Sequence, residues 1–568
     1  MKKFFVCILA AVLAANAFAE RVSREEALCF ARQFFSDTPQ AALKIVWSGD
    51  QTEAAFYVIE RSGGGFLILS GETAVHPVLG YSGEGRFVAA DMPEHMRAWF
   101  STLERDVVKV RNLKAEAGAD VRDAWENLGV RTRSSGSGLL IESAQWDQSG
   151  PYNKYCPVIN GRKSVTGCVA TAMAITMRHN KYPAHGYGYL NAYTTSTERA
   201  RIEGFSIDDH FYDWDAMPLT DVLRASEEAK DQIARLMYDC GVMVQMDFSP
   251  YGSGAVSMYT PGVMAEHFAY SAEAMLFRKS MYKPKEWIAL VKQELDADRL
   301  VFYSAHDAMG QGGHAFVIDG YDQNDLFHVN WGWSGSGNGY YNLDMEVEGY
   351  RFSADHGAVL GLVPDPERSR SALSYLALTG KGLSLSSGRI EEGKTFSVEV
   401  NNITNYGNAE FQGPLMVVLT DEEDCIKETL GTPVNVKIPA LSTASATISG
   451  CKMTVRPDFK DHVSLAYKDS RTAEYVVMRS DVENESVGGL AAIPNFIAGK
   501  TSYSAGERFE FKLFKSGEKF MSAVWYFDGR QVPEEEEDVV LTAGTHEVKL
   551  ILTKSSGSET LVRELIVK

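Results

Sequence analysis

Two stretches of the chain carry residue types that together can do covalent chemistry. The first is Thr166-Gly-Cys-Val-Ala-Thr-Ala-Met-Ala-Ile-Thr-Met177. Gly167 breaks whatever precedes it and leaves room for a substrate backbone, and a run of good helix formers starts at Cys168 and must stop before Pro183. Cys168 therefore sits at a helix N-terminus, where unpaired N–H groups and the helix dipole favour the thiolate, the reactive form of cysteine. The competing reading is a buried structural cysteine at the start of a core helix, since free cysteine is often buried.

A thiolate nucleophile needs a base. In Gly312-Gly-His-Ala-Phe-Val-Ile-Asp-Gly-Tyr321, two glycines precede His314 and a β run follows it. Asp322 to Asp325 reads as a turn, and Leu326-Phe-His-Val-Asn-Trp-Gly-Trp333 runs back. A hairpin centred on Asp322 sets Asn330 opposite His314, where an amide can fix the tautomer of the ring and Trp331 can shield it from water. His328 is the competing base; His314 is preferred because its glycine neighbours leave it accessible. His314 follows Cys168 by about 145 residues, inside the roughly 130–150 residue interval of one class of Cys–His enzymes. Acyl transfer also needs donors for an oxyanion. The Cys168 N–H is one, and Gln148, about 20 residues upstream, is the second by the plan of that class; Gln145 is the alternative. The glycine-rich run 332–339 reads as a mobile loop beside the site.

These residues must be positioned by ordered elements. Residues 20–130 read as a small α+β unit. Ser23-Arg-Glu-Glu26 is a capping box opening a helix through Phe35, strands follow at Ala55–Ile59 and Gly65–Leu69, and Glu94 to Glu116 is an amphipathic helix. Residues 131–138, Arg-Thr-Arg-Ser-Ser-Gly-Ser-Gly, form an exposed linker of the kind proteases nick. Residues 139–365 hold all the candidate site residues. Beyond Pro366 the pattern is short strands and recurrent turns, which predicts β-sandwiches over 366–489 and 490–568, the last immunoglobulin-like or PKD-like.

Composition sets outer bounds. The 568 residues are 45% hydrophobic and 23% charged, ordinary globular usage, with net charge −19. That balance argues against a nucleic-acid binder, which needs a basic face. Residues 1–19 read as a secretory signal peptide: Lys2 and Lys3, an apolar run from Phe4 to Ala15, and Ala17-Phe-Ala19 before the cut. The run is too short to span a bilayer, and no later stretch is long enough. Secretion or display at the cell surface is the expectation. Six cysteines remain after the signal, none in a C-x-x-C pair, which excludes a zinc ribbon. Cys425 and Cys451 are close enough in sequence for a bridge to be considered.

The segments TGCVATAMA, GGHAFVIDGY and FHVNWGWSG, with WDQSGPYN upstream, resemble the streptopain family of bacterial cysteine proteases. The likeness covers about residues 140–365, with the motifs in the family's order. It implies an α+β architecture with a papain-like catalytic domain, preceded by an α+β pro-domain at 20–130 that blocks the cleft until the 131–138 linker is cut, and followed by all-β sandwich domains. It implies Cys168 as nucleophile, His314 as general base, Gln148 in the oxyanion hole, and Asn330 and Trp331 flanking the histidine. Protein or peptide substrates and the chain's own pro-domain are the partners it implies. No metal or organic cofactor is required. The roughly 200-residue β extension departs from streptopain, and contact with carbohydrate or the cell envelope is an expectation for that part alone. A cell-wall peptide amidase or transglutaminase-like enzyme would use the same residues, and an adhesin would use only the fold.

Overall fold

The computed structural model describes residues 20–568 apart from 50–52, 88, 90–93, 129–137, 307–312, 344–345, 348–349, 352–355, 381, 422, 459, 470–473, 482–489, 493–495, 501, 515–521, 534–537 and 555–556. The signal peptide expected at 1–19 and all but Gly138 of the expected linker lie outside the described residues. The chain divides into two compact units, one closing at Ala372 and the other running Leu373–Lys568.

The first unit opens with α1 (Arg24–Phe34). Its capping box forms in both directions: Ser23 Oγ accepts from the Glu26 N–H, and the Glu26 carboxylate accepts from the Ser23 N–H. Strands β1 (Leu43–Trp47), β2 (Phe56–Arg61), β3 (Phe66–Ser70) and β4 (Val78–Ser82) make an antiparallel meander. Every residue of β3 is buried, which is why it reads as an unbroken apolar run rather than as an alternation. Next come α2 (Glu94–Asn112) and α3 (Ala119–Glu126). The sequence pattern carried α2 to Glu116. The backbone instead leaves the helix at Lys114, with φ +48, and α3, short and without a side-chain cap, has no sequence signature.

On α2, which lies against the strand that bears His314, Asp106 is half-buried with Oδ2 enclosed and without a hydrogen-bond partner among the described residues. Burial pushes its carboxyl up to about 7, against the pull of Arg105 and Lys109. A carboxyl raised on folding contributes stability that is complete below its ordinary value near 3.8 and is lost as pH rises through about 7. Asp106→Asn is therefore expected to melt with the parent at pH 4 and a few degrees above it at pH 8. Parallel melting curves across that range would show that Asp106 titrates normally.

The rest of the unit supplies β5 (Leu139–Leu140), α4 (Cys168–Asn180), α5 (Glu227–Met243), β6 (Met275–Arg278), α6 (Pro284–Asp296), β7 (Val301–His306), β8 (Gly313–Tyr321), β9 (Phe327–Asn330), β10 (Gly339–Tyr341) and β11 (Gly357–Leu360). One sheet runs β1-β2-β3-β4-β10-β9-β8-β7-β11-β6, with β5 added on β8. The N-terminal meander is thus hydrogen-bonded into the sheet that carries His314. At the junction Tyr81 pairs with Tyr340 and Gly80 with Tyr341, and the Tyr81 and Tyr340 rings stack at 5.1 Å. A Cβ at Gly80 would come within 2.7 Å of the Tyr341 ring, so only glycine lets the strands close there. Helix α4 packs against β8 and α5, with every residue from Cys168 to Arg178 buried. A helix enclosed on all sides needs no polar face, which explains its run of Ala, Val, Ile and Met.

The second unit is β-rich and has two separate cores. The first is built from alternate residues of two sheets, Phe396, Val398 and Val400 in one and Leu415, Val417, Leu419, Val463 and Leu465 in the other. The second gathers around Phe509, Val548, Leu550, Leu552 and Leu565. Cys425 and Cys451 are not bridged; the first is exposed and the second buried in its core.

Candidate active site

Gly167 precedes α4 with φ +88, a conformation that side chains oppose. A Cβ there would lie 2.6 Å from Met246 Sδ and 3.0 Å from the Ser253 carbonyl. The glycine is required by its backbone and by the 246–254 loop packed on it, not by room for a substrate. Cys168 begins the helix and is 5% exposed. Burial dominates its environment and pushes the thiol up, while the N–H groups of Ala315, Val169 and Cys168 itself pull the other way. Ala315 lies next to His314 on β8, the strand against which α4 packs.

His314 is buried, and its Nε2 lies 3.0 Å from the Trp331 carbonyl oxygen. A carbonyl can only accept, so Nε2 carries the proton and Nδ1 is the basic nitrogen of the neutral ring. The imidazole lies nearly parallel to the Trp331 indole, centroids 5.9 Å apart and planes 17° apart, and Trp331 is itself buried.

Asn330 does not face His314. Tyr321 pairs with Phe327, so the hairpin turns nearer Asn324 than Asp322, and a bulge at Asp319 shifts the register again. Asn330 is thereby set opposite Val317. Its fully buried amide donates to Ser143 Oγ at 2.8 Å and to the Ala144 carbonyl at 2.9 Å, and its Oδ1 accepts from the Gly332 N–H at 3.1 Å. The group holding the imidazole is the backbone carbonyl next to Asn330. His328 is committed elsewhere: its Nδ1 lies 2.5 Å from Asp319 Oδ1 and its ring packs edge-on against Tyr340.

Gln148 is 2% exposed, and its Nε2 is enclosed with no hydrogen-bond partner among the described residues. Its backbone carbonyl accepts from the Thr166 N–H, two residues before the nucleophile. A buried amide donor left unpaired costs about 1–3 kcal/mol, and such groups mark places where something else is to be bound. Gln145, the alternative, is exposed, and its Oε1 would meet a Cβ placed on Gly335, so it covers the glycine loop. That loop is tied down, contrary to expectation: the Trp331 N–H donates to Asn338 Oδ1, the Trp331 Nε1–H to the Gly337 carbonyl, and the Ser334 N–H to the Trp146 carbonyl.

Sequence reasoning missed the Trp331 carbonyl because a backbone group leaves no mark in a sequence. It also missed Ser143 and Asp319. The signal for Asp319 was present, one acid inside the apolar run Ala315–Ile318 with Gly320 after it.

Comparison with known proteins places these segments. The Peptidase C10 family matches residues 146–341, and the Spi protease inhibitor family matches residues 19–107. The thiol protease/hemagglutinin PrtT of Porphyromonas gingivalis is 28% identical over 493 residues, 80% of this chain and 54% of that protein. The chain thus spans about half the length of that relative. Streptopain of Streptococcus pyogenes is 30% identical over 315 residues, 53% of this chain and 77% of streptopain. A solved fragment of Prevotella intermedia prointerpain A is 27% identical and covers 57% of this chain and 100% of the fragment, with a TM-score of 0.48. Among the described residues, no helix is long and apolar enough to cross a membrane.

Proposed function

The chain belongs to the Peptidase C10 family of cysteine-type peptidases, and from that premise we propose that it is a secreted cysteine endopeptidase made as a zymogen. Cys168 is the nucleophile, His314 the general base, and the Cys168 N–H and Gln148 Nε2 the oxyanion donors. Trp331 holds and covers the imidazole, and Asn330 holds Trp331. The observation that carries the reading is the packing of α4, which opens at Cys168, against β8, the strand that bears His314.

In this mechanism Nδ1 of His314 takes the thiol proton and the sulfur attacks the peptide carbonyl carbon. The C–S bond forms as the carbonyl oxygen takes the negative charge, which the two N–H donors stabilise. Collapse of the adduct breaks the C–N bond, and the imidazolium gives its proton to the departing amine. Water, deprotonated by His314, then attacks the thioester. The acid product leaves, and the proton returns to the sulfur. Residues 20–130 act as the intramolecular inhibitor, supported by the Spi protease inhibitor match and by the shared sheet at Tyr81 and Tyr340. Cleavage within 131–138 starts activation.

The test is casein hydrolysis under reducing conditions by residues 20–568, before and after a trace of trypsin. Thiol-dependent activity that appears on cutting supports the zymogen reading. A cut chain inert on casein but active on cell-wall stem peptides would make it an amidase, and one inert on both would leave a binding protein.

Gln148 offers a separate check. Gln148→Ala should lower kcat by about 10²–10³ at little cost in KM. Because Nε2 makes no bond among the described residues, no hydrogen bond is lost, and the melting temperature should fall only by the cost of the cavity that the shorter side chain leaves. A stability loss without a kcat loss would make Gln148 a packing residue.

A further inference from the structure

Asp319 is 2% exposed and occupies the bulge of β8, where the register slips between Ile318 and Gly320. A bulge re-aims the side chain it carries. Both carboxylate oxygens are used. Oδ1 takes His328 Nδ1 at 2.5 Å, and Oδ2 takes the hydroxyl of Ser143 at 2.5 Å. The second bond has a directional consequence. A serine hydroxyl has one proton, and Asp319 claims it, so Ser143 Oγ turns a lone pair to the Asn330 amide at 2.8 Å. The Asn330 amide is then fully specified, since its other N–H goes to the Ala144 carbonyl and its Oδ1 receives the Gly332 N–H. Asn330 and Gly332 flank Trp331, so this amide clamps the backbone on both sides of the carbonyl that holds His314 Nε2.

We propose that Asp319 is a positioning residue for peptide hydrolysis: through Ser143 and Asn330 it sets the direction of the Trp331 carbonyl and so holds His314 in the tautomer that deprotonates Cys168. This rests on the peptidase reading above. Asp319, Ser143 and Asn330 take no part in the proposed bond-making steps, so the effect falls on the rate of the bound complex and not on binding. The Asp319 carbonyl takes the Ile141 N–H at 2.7 Å, which continues the pairing of Tyr321 with Leu139 and Gly320 with Leu140 and brings the 141–144 segment alongside. Gly320 permits that approach, because a Cβ there would stand 2.4 Å from the Leu139 carbonyl.

The experiment uses the trypsin-processed chain as wild type, Asp319→Asn, Ser143→Ala, the double variant and Ser143→Thr, with kcat, KM, the pH profile of kcat and the melting temperature measured for each. Asp319→Asn and Ser143→Ala are each expected to lower kcat about 10- to 100-fold at unchanged KM. The double variant should be no worse than the worse single one, because both cut the same chain. Ser143→Thr, which keeps the hydroxyl, should stay within about threefold of wild type. The limb of the pH profile that follows His314 should move in the two damaged variants and stay in place in Ser143→Thr. If Asp319→Asn does not fold, Ser143→Ala decides, since it leaves the Asp319–His328 pair intact. Unchanged kcat, a change confined to KM, or losses that multiply in step with falling melting temperatures would reduce Asp319 to a structural acid. A wild type without thiol-dependent activity would sink the peptidase reading and this inference together; an active wild type with indifferent variants sinks the inference alone.

Discussion

Cys168→Ala is expected to abolish casein hydrolysis and to leave the precursor whole. In the proposed mechanism the sulfur forms the bond to the acyl group, and no neighbour can replace it. Of the other cysteines, Cys156, Cys240 and Cys451 are buried, Cys29 is partly buried, and the thiol of exposed Cys425 is pushed up chiefly by the Asp421 carboxylate. Loss of a covalent nucleophile costs on the order of 10⁶ in rate, which for a peptidase means background. The same reasoning predicts where a thiol reagent goes. In the precursor, burial holds the Cys168 thiol up and alkylation is slow. After processing and exposure to solvent, iodoacetamide should label Cys168 first, with activity falling in proportion, as read by peptide mapping. Full hydrolysis by the alanine variant, or labelling that reaches Cys425 first while activity falls, would remove Cys168 from the role of nucleophile.

His314→Ala should lower kcat by about 10³–10⁴, as expected for the loss of a general base that also serves as the acid for the leaving amine. His328→Ala is the control within the same hairpin. Its Nδ1 is held by Asp319 and its ring by Tyr340, so its loss disturbs support for the site and not the proton transfer, and should cost no more than about tenfold. The two effects separate further with pH. Without His314, the rate should rise with pH through the range where free thiols ionise, because hydroxide must now do what the imidazole did. Equal losses in the two variants, or a larger loss at His328, would reassign the base.

Much of the site was open to inspection in the sequence, for reasons that are local. Cys168 behind a glycine and ahead of a helical run places itself, because helix start signals act over a few residues. The β run after His314 and the return through Asn330 likewise follow from short-range pattern. The capping box at Ser23 formed as read, since its two bonds join residues three apart. What went astray depended on registration between segments. The hairpin turn at Asp322–Leu326 is closed by the Asp322 N–H on the Leu326 carbonyl, one residue of bulge follows, and together they moved Asn330 from His314 to Val317. Since neither a bulge nor a turn centre changes the alternation enough to be seen, the pairing could not be read from residue types.

The sequence by itself determined the chemistry this chain has available: a cysteine at a helix start, a histidine and an asparagine on a later hairpin, an upstream glutamine, and a family whose motifs these are. It also indicated an α+β N-terminal part and a β-rich C-terminal part. The tertiary structure decided which groups meet. It put the Trp331 carbonyl on His314 in place of the Asn330 amide, left Gln148 Nε2 enclosed without a partner among the described residues, gave Asp319 to Ser143 and His328, and joined the N-terminal meander to the site-bearing sheet at Tyr81 and Tyr340. The physical reason is common to all four. Three are contacts between groups at least nine residues apart and the fourth is the burial of a side chain, and all of them arise only when distant segments pack.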